Sequence, residues 1–289
     1  ATSVRGRFWQ MIQIGKNNAR YFDNEGLLYF TRERFDLLYP SYGDTYPTYM
    51  GAIGMTYEQA GNSRGGLGVM TKEKEILSLV DRINNQTITS LSNVEMASKN
   101  AIQLNEEFKK FFQNNNTTTK SYVLKGHPEK LDVLTALLDK HEINYEHASN
   151  QTVSGYSYAS RRSSKMKVDQ SALVIHADQP KGKMVKALFE PNAKLEDSLT
   201  YDITAWSLPY AYGLEAIASE NKVKSSVREQ TDAAKENALS DAYAYVMEWN
   251  SMADARFLSA LLQKNIKVRF AEKPFTSNGN KFNAGSLII

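Results

Sequence analysis

Apolar and polar positions follow three regimes along this chain. From residue 1 to about 60, aromatic, β-prone and turn segments are mixed, as in an α/β domain. Tyr39 to Gly51, YPSYGDTYPTYMG, has no period, because two prolines, two glycines and an aspartate interrupt it; this predicts a loop. The next run, AIGMTYE, predicts a buried strand emerging at Glu58, and GNSRGGLG (Gly61 to Gly68) predicts a turn. A helical regime follows. Thr71 is a plausible N-cap, with Ile76, Leu79, Val80 and Ile83 at helical spacing behind it. A longer helix is expected from Thr89 or Ser90, its stripe running through Leu91, Val94, Ala101, Leu104, Phe108 and Phe111. The polar run QNNNTTTK (Gln113 to Lys120) is the best linker.

Beyond the linker the pattern repeats. YVLKGHPEKLDVLTALLDKHEINYEHA (Tyr122 to Ala148) parallels YVMEWNSMADARFLSALLQKNIKVRFA (Tyr245 to Ala271), with one residue of slippage. Each copy reads strand, helix, strand. Leu131, Leu134 and Leu138 form the helix face in the first, and Leu258, Leu261 and Leu262 contribute to it in the second. That order predicts parallel strands in an open α/β sheet. The first copy runs on through SALVIHADQPKGKMVKALFEP, whereas the second reaches GSLII at the last residue. The mismatch implies a second domain that is incomplete at its C-terminus.

Composition adds little. With 289 residues, 42% hydrophobic and 23% charged, the chain suits a soluble protein of two domains, and a net charge of +3 makes no case for nucleic acid. No apolar run approaches the length of a membrane span. Cysteine is absent, which excludes disulfides, thiolate metal sites and a cysteine nucleophile.

The candidate chemistry is narrow. Glu58, at a strand end before glycines, reads as solvated, as an acceptor for loop amides, or as an acid/base. The four histidines, His127, His141, His147 and His176, have Lys130, Asn144, Asn150 and Gln179 three residues on, so none opens a His-x-x-Glu pair. GNSRGGLG lacks the Lys-Ser/Thr of a phosphate loop, and no Gly-x-Ser-x-Gly elbow occurs. YDITAWSLPYAYG (Tyr201 to Gly213) reads as an ordered, packed loop. Asn85-Gln86-Thr87 and Asn150-Gln151-Thr152 fit glycosylation triplets.

YPSYGDTYPTYMGAIGMTYEQAG (Tyr39 to Gly61) resembles the final active-site segment of a bacterial branch of the zinc carboxypeptidase family, carboxypeptidase A-like metallopeptidases. There a tyrosine-bearing loop precedes a strand ending in the catalytic glutamate. The resemblance continues through RINNQTITSLSNVEMASKN (Arg82 to Asn100), and YDITAWSLPYAYG and AEKPFTSNGNKFNAGSLII are similar to the C-terminal domain of these proteins. It implies a fold in two parts. Residues 1–114 are the C-terminal part of a carboxypeptidase-like mixed sheet with helices; residues 115–289 form an open parallel-sheet, flavodoxin-like domain of class I glutamine amidotransferase type. It implies Glu58 as general acid/base, Tyr39 as a substrate-binding residue with Tyr42 as the alternative, and zinc from ligands upstream of this chain. A peptide or protein substrate, a secreted, periplasmic or cell-surface location, and partner subunits in a cell-envelope complex follow from the same likeness. The sequence departs from the family in having Ala60 where an arginine is common. It also lacks the cysteine that amidotransferase chemistry requires, which leaves the second domain as a scaffold or binding module. A non-catalytic binding or assembly subunit is the competing expectation.

Overall fold

The computed structural model describes residues 8–30, 39–58, 66–72, 74–113, 117–193, 207–227 and 242–289. The glycine-rich turn at 59–65 with Ala60, the centre of the linker at 114–116, and residues 201–206 of the aromatic loop lie outside the described residues. In chain order come α1 (Phe8–Asn24), α2 (Thr45–Tyr49), β1 (Gly68–Met70), β2 (Ile76–Ser78), α3 (Leu79–Lys99) and α4 (Ala101–Gln113). Then follow β3 (Ser121–Lys125), α5 (Pro128–Lys140), β4 (Glu146–Ala148), β5 (Gln151–Ser157), β6 (Arg162–Val168), β7 (Leu173–His176), α6 (Gly182–Phe189), α7 (Leu208–Ala211), β8 (Glu215–Ser219) and β9 (Ser225–Ser226). The last are β10 (Val246–Met247), α8 (Met252–Gln263), β11 (Arg269–Phe270), β12 (Phe275–Ser277), β13 (Asn280–Phe282) and β14 (Leu287–Ile288). The chain is thus a mixture of helices and sheets. It divides into two compact units, residues 1–118 with 176–208, and residues 119–175 with 209–289.

In the first unit the strands among the described residues are the antiparallel β1–β2 hairpin, and the expected mixed sheet is not seen. Helix α3 starts at Ser78, not Thr71. Ser78 Oγ accepts the Asp81 amide at 3.1 Å, and the Asp81 carboxylate accepts the Ser78 amide at 2.9 Å. This reciprocal cap outcompetes Thr71, whose neighbours pair as β1 and β2. The expected stripe is also displaced: Leu91 and Val94 are exposed, while Thr89, Ser92 and Met96 are buried. Thr89 and Ser92 are satisfied. Thr89 Oγ1 donates to Asn85 O at 2.9 Å, and Asn17 Nδ2 of α1 donates to Ser92 O and Oγ at 2.8 and 2.9 Å. Apolar periodicity cannot see a helix contact made by hydrogen bonds.

In the second unit a curled sheet has the order β6-β5-β8-β3-β7-β4-β9. The expected parallel arrangement is not shown. β3 pairs antiparallel with β8, β8 with β5, β5 with β6, β4 with β7, and β4 with β9. The β3–α5–β4 order is present, but β3 and β4 are not neighbours, because β7 lies between them. Tyr122, Val123 and Leu124 of central β3 are all at most 2% exposed, as a strand covered on both faces requires. One face carries an apolar cluster that includes Val123, Val153, Met166, Val174 and Ile217. Gly155 in β5 lets β8 approach closely, since a Cβ there would lie 2.2 Å from Ala218 O.

The repeat extends to six elements and needs no slippage. β3-α5-β4-β5-β6-β7 is matched by β10-α8-β11-β12-β13-β14. In the second copy β14 lies between β10 and β11, antiparallel to both, as β7 lies between β3 and β4. Details recur in register. Glu142 and Asn265, one residue past each helix cap, have φ of 55° and 56°. Ile143 N and Ile266 N each donate at 3.0 Å to the carbonyl of the last buried leucine, Leu138 or Leu261. Ala148 N donates to Ala172 O, and Ala271 N to Ser286 O. Leu262, expected on the helix face, is 56% exposed.

Replacing Gly155 by Ala should destabilise the protein by at least about 2 kcal/mol, because the obstacle is backbone that cannot rotate away. A urea midpoint unchanged from wild type would show that β8 does not sit that close.

Candidate functional site

The site expected around Glu58 is built from two segments in the first unit. The loop predicted over Tyr39–Gly51 contains helix α2, with Thr45, Thr48 and Tyr49 buried. Its amides find acceptors within the turn, including Tyr46 N to Tyr42 O at 2.9 Å. Tyr39 and Tyr42 are half-buried, and their rings meet edge to face at 5.2 Å and 86°. The run predicted as a buried strand, residues 52–58, forms no strand. It is held by side chains. Asp44 Oδ2 accepts Thr56 Oγ1 at 2.5 Å, and Asn93 Oδ1 of α3 accepts the Tyr57 hydroxyl at 3.1 Å. Asp44 O accepts Thr48 Oγ1 at 2.9 Å.

Gly54 makes the clasp possible. A Cβ there would fall 1.7 Å from Asp44 O and 2.5 Å from Thr48 Oγ1, so only glycine lets the run lie against the carbonyl that opens α2. Gly51 has φ +89°, and a Cβ there would lie 3.1 to 3.2 Å from the rings of Phe108, Phe111 and Phe112. Glu58 is exposed at the end of this run. Asp44, Gly54 and Asn93 were not singled out by sequence. Asp44 immediately before a Thr-x-Pro stretch was the available signal, since Asp in that position caps or clamps a short turn.

A second polar cluster ties α1 to α3. Glu95 accepts hydrogen bonds from Lys99, from Asn17 Nδ2 at 3.2 Å and from Arg20. Lys99, then Asn17 and Tyr21, with the charge of Arg20 beside them, hold its carboxyl down at about 2. In the second unit Glu129 of α5 caps α8, accepting the Ala253 amide at 3.0 Å. Hydrogen bonds from Ser251 and Ala253 lower its pKa.

The histidines are dispersed. His127 and His141 flank α5, His147 lies in β4 with Nδ1 3.0 Å from Gln170 O, and His176 ends β7. No group of three or more His, Cys, Asp or Glu able to hold a metal occurs among the described residues. Of the expected set, Glu58, Tyr39 and Tyr42 are among the described residues. No helix among the described residues is long and apolar enough to cross a membrane. Comparison with protein-family models, curated proteins and solved structures finds no match to this chain.

Glu95 carries a testable pH dependence. Its folded pKa lies below the ordinary carboxylate value, so its contribution is complete above about 4.5. It disappears as pH falls towards about 2. Acid titration of Glu95→Gln should lack that component of the wild-type loss between those limits. Identical acid profiles would show that the cluster does not couple to folding.

Proposed function

We propose that this chain supplies the general acid/base and the substrate loop of a zinc carboxypeptidase-like peptide hydrolase. One observation carries the reading. Asp44 clasps the turn that bears Tyr39 and Tyr42 to the run that ends in Glu58, through Thr56 at 2.5 Å and the close approach of Gly54. A tyrosine-bearing turn tied to the run that carries a carboxylate suits positioned acid/base chemistry on a bound peptide. The exposed carboxylate of Glu58 is open to a substrate and a water. It would take the water's proton as the oxygen attacks the scissile carbonyl, and return that proton to the leaving amine. The hydroxyl of Tyr39, with Tyr42 as the alternative, would donate to the substrate's terminal carboxylate. Zinc, from ligands outside this chain, would polarise the carbonyl.

A second reading is favoured by a different observation. Helix α3 presents a shallow groove of about 500 Å³ lined by Ile83, Leu91 and Val94, all more than half exposed. An uncovered apolar strip of this kind suits a binding or assembly subunit.

The test uses the natural polypeptide that carries these residues, supplied with zinc. It should release the last residue from peptides with a free C-terminal carboxylate and not from C-terminal amides. Glu58→Gln should lower kcat by about 10²-fold or more with an unchanged melting temperature. Tyr39→Phe or Tyr42→Phe should act mainly on KM. Retention of more than about a tenth of the rate in Glu58→Gln would remove Glu58 from the chemistry and leave the binding reading.

A further inference from the structure

The β5–β6 hairpin concentrates the basic surplus of the chain. The whole chain carries 35 lysines and arginines against 32 acids. Residues 151–168 hold four of those cations, Arg161, Arg162, Lys165 and Lys167, and no acid, so the rest of the chain has 31 cations against 32 acids. Alternation sorts the hairpin into two faces. Val153 and Met166, opposite one another, turn into the apolar cluster, and Val168 joins them. The other face therefore carries Thr152 opposite Lys167, Ser154 opposite Lys165 and Tyr156 opposite Ser163. Tyr156 is half-buried and the other five are exposed. Two of these pairs set an ammonium beside a hydroxyl, on Cα atoms about 5 Å apart. The two pairs follow one another at about 7 Å along the strands. Asp169, the acid that follows β6, is turned to its own loop, where it accepts the Ser171 amide and hydroxyl at 2.8 and 2.5 Å.

We infer that this face binds an acidic polysaccharide, a chain of sugar rings bearing carboxylate or sulfate groups. Each lysine takes an acidic group in a charge-assisted hydrogen bond. The hydroxyl beside it both donates to and accepts from a ring hydroxyl. Other polyanions fit less well. Sheets that bind single-stranded nucleic acid do so largely through open aromatic rings on which bases stack. The rings here are already in contact with one another: Tyr158 is 2% exposed, and its centroid lies 6.2 Å from that of Tyr156 and 5.1 Å from that of Tyr210. A membrane surface calls for apolar side chains beside the cations, and this face offers Thr152, Ser154 and Ser163. Lysines on a terminal strand such as β6 also deter unwanted strand pairing. That role needs charge alone and is indifferent to the hydroxyls of β5. The inference stands apart from the proposed hydrolase activity.

The test uses the full chain and a fluorescein-labelled heparin decasaccharide, which carries both kinds of acidic group. Fluorescence anisotropy at moderate salt should show saturable binding with a Kd below about 100 μM. Lys165→Gln with Lys167→Gln should weaken it by about ten-fold or more. Lys109→Gln with Lys267→Gln removes the same charge at exposed positions elsewhere, and should change binding by less than about two-fold. Thr152→Val with Ser154→Ala leaves the charge untouched and should weaken binding about three- to five-fold. An oligothymidylate of equal charge and vesicles containing anionic lipid should bind more weakly than the decasaccharide. All three variants should melt within a few degrees of wild type. Absence of saturable binding would overturn the inference, as would equal losses in the two lysine pairs. An unchanged Kd in the hydroxyl variant would reduce the face to bare edge charge and overturn it as well. Tighter binding of the oligothymidylate or the vesicles through Lys165 and Lys167 would overturn it by giving the face to that partner.

Discussion

A strand slotted between two strands already laid down is the constraint on which the second unit rests. Once β3, α5 and β4 are in place, the chain has to run to the far edge of the same sheet, make the β5–β6 hairpin and return to fill the gap with β7. Every backbone group on the facing edges of β3 and β4 depends on that return, because a buried amide or carbonyl without a partner costs more than a bond contributes. The Ala148 amide to the Ala172 carbonyl is one closure of the slot, and the Ala271 amide to the Ser286 carbonyl is its counterpart. Gap filling also explains the burial of Leu173, Val174 and Ile175, each at most 1% exposed. A strand with neighbours on both sides has no solvent edge.

The first unit is organised by a different economy, in which polar clasps replace a large apolar seam. Asn17 reaches Ser92 and Glu95 across two helices, and Asp44 reaches Thr56 across a turn. Such contacts fix orientation more narrowly than apolar packing does, because a hydrogen bond fails when its geometry drifts by a fraction of an ångström. The clasp on Asp44 ties the turn that carries Tyr39 and Tyr42 to the run that ends at Glu58, although Glu58 belongs to no regular element.

What the sequence disclosed follows from how local each feature is. The repeat was legible because Leu138 and Leu261, and Ala148 and Ala271, recur at one constant spacing and are buried in both copies. Strand order was not. β-α-β spacing is satisfied equally by adjacent strands and by strands with a third between them, and the choice is made by contacts distant in sequence. The start of α3 was written in Ser78 and Asp81, but Thr71 offered a competing cap and the hairpin it belongs to is short. Burial of Thr89 and Ser92 was invisible to any reading that counts apolar residues alone. At the candidate site, Tyr39, Tyr42 and Glu58 were named from the sequence. Gly54 against the Asp44 carbonyl could not, because a close approach leaves no mark except the absence of a side chain.

Two copies of one topology in a single chain have a kinetic consequence. During folding, β7 and β14 each have to find one of two slots of the same topology, β3–β4 and β10–β11. The copies discriminate by small differences: Ala172 against Ser286 at the slot, and a longer hairpin before β7 than before β14. Loop length then sets which return is faster, so the shorter β12–β13 excursion closes its own slot before the longer one arrives.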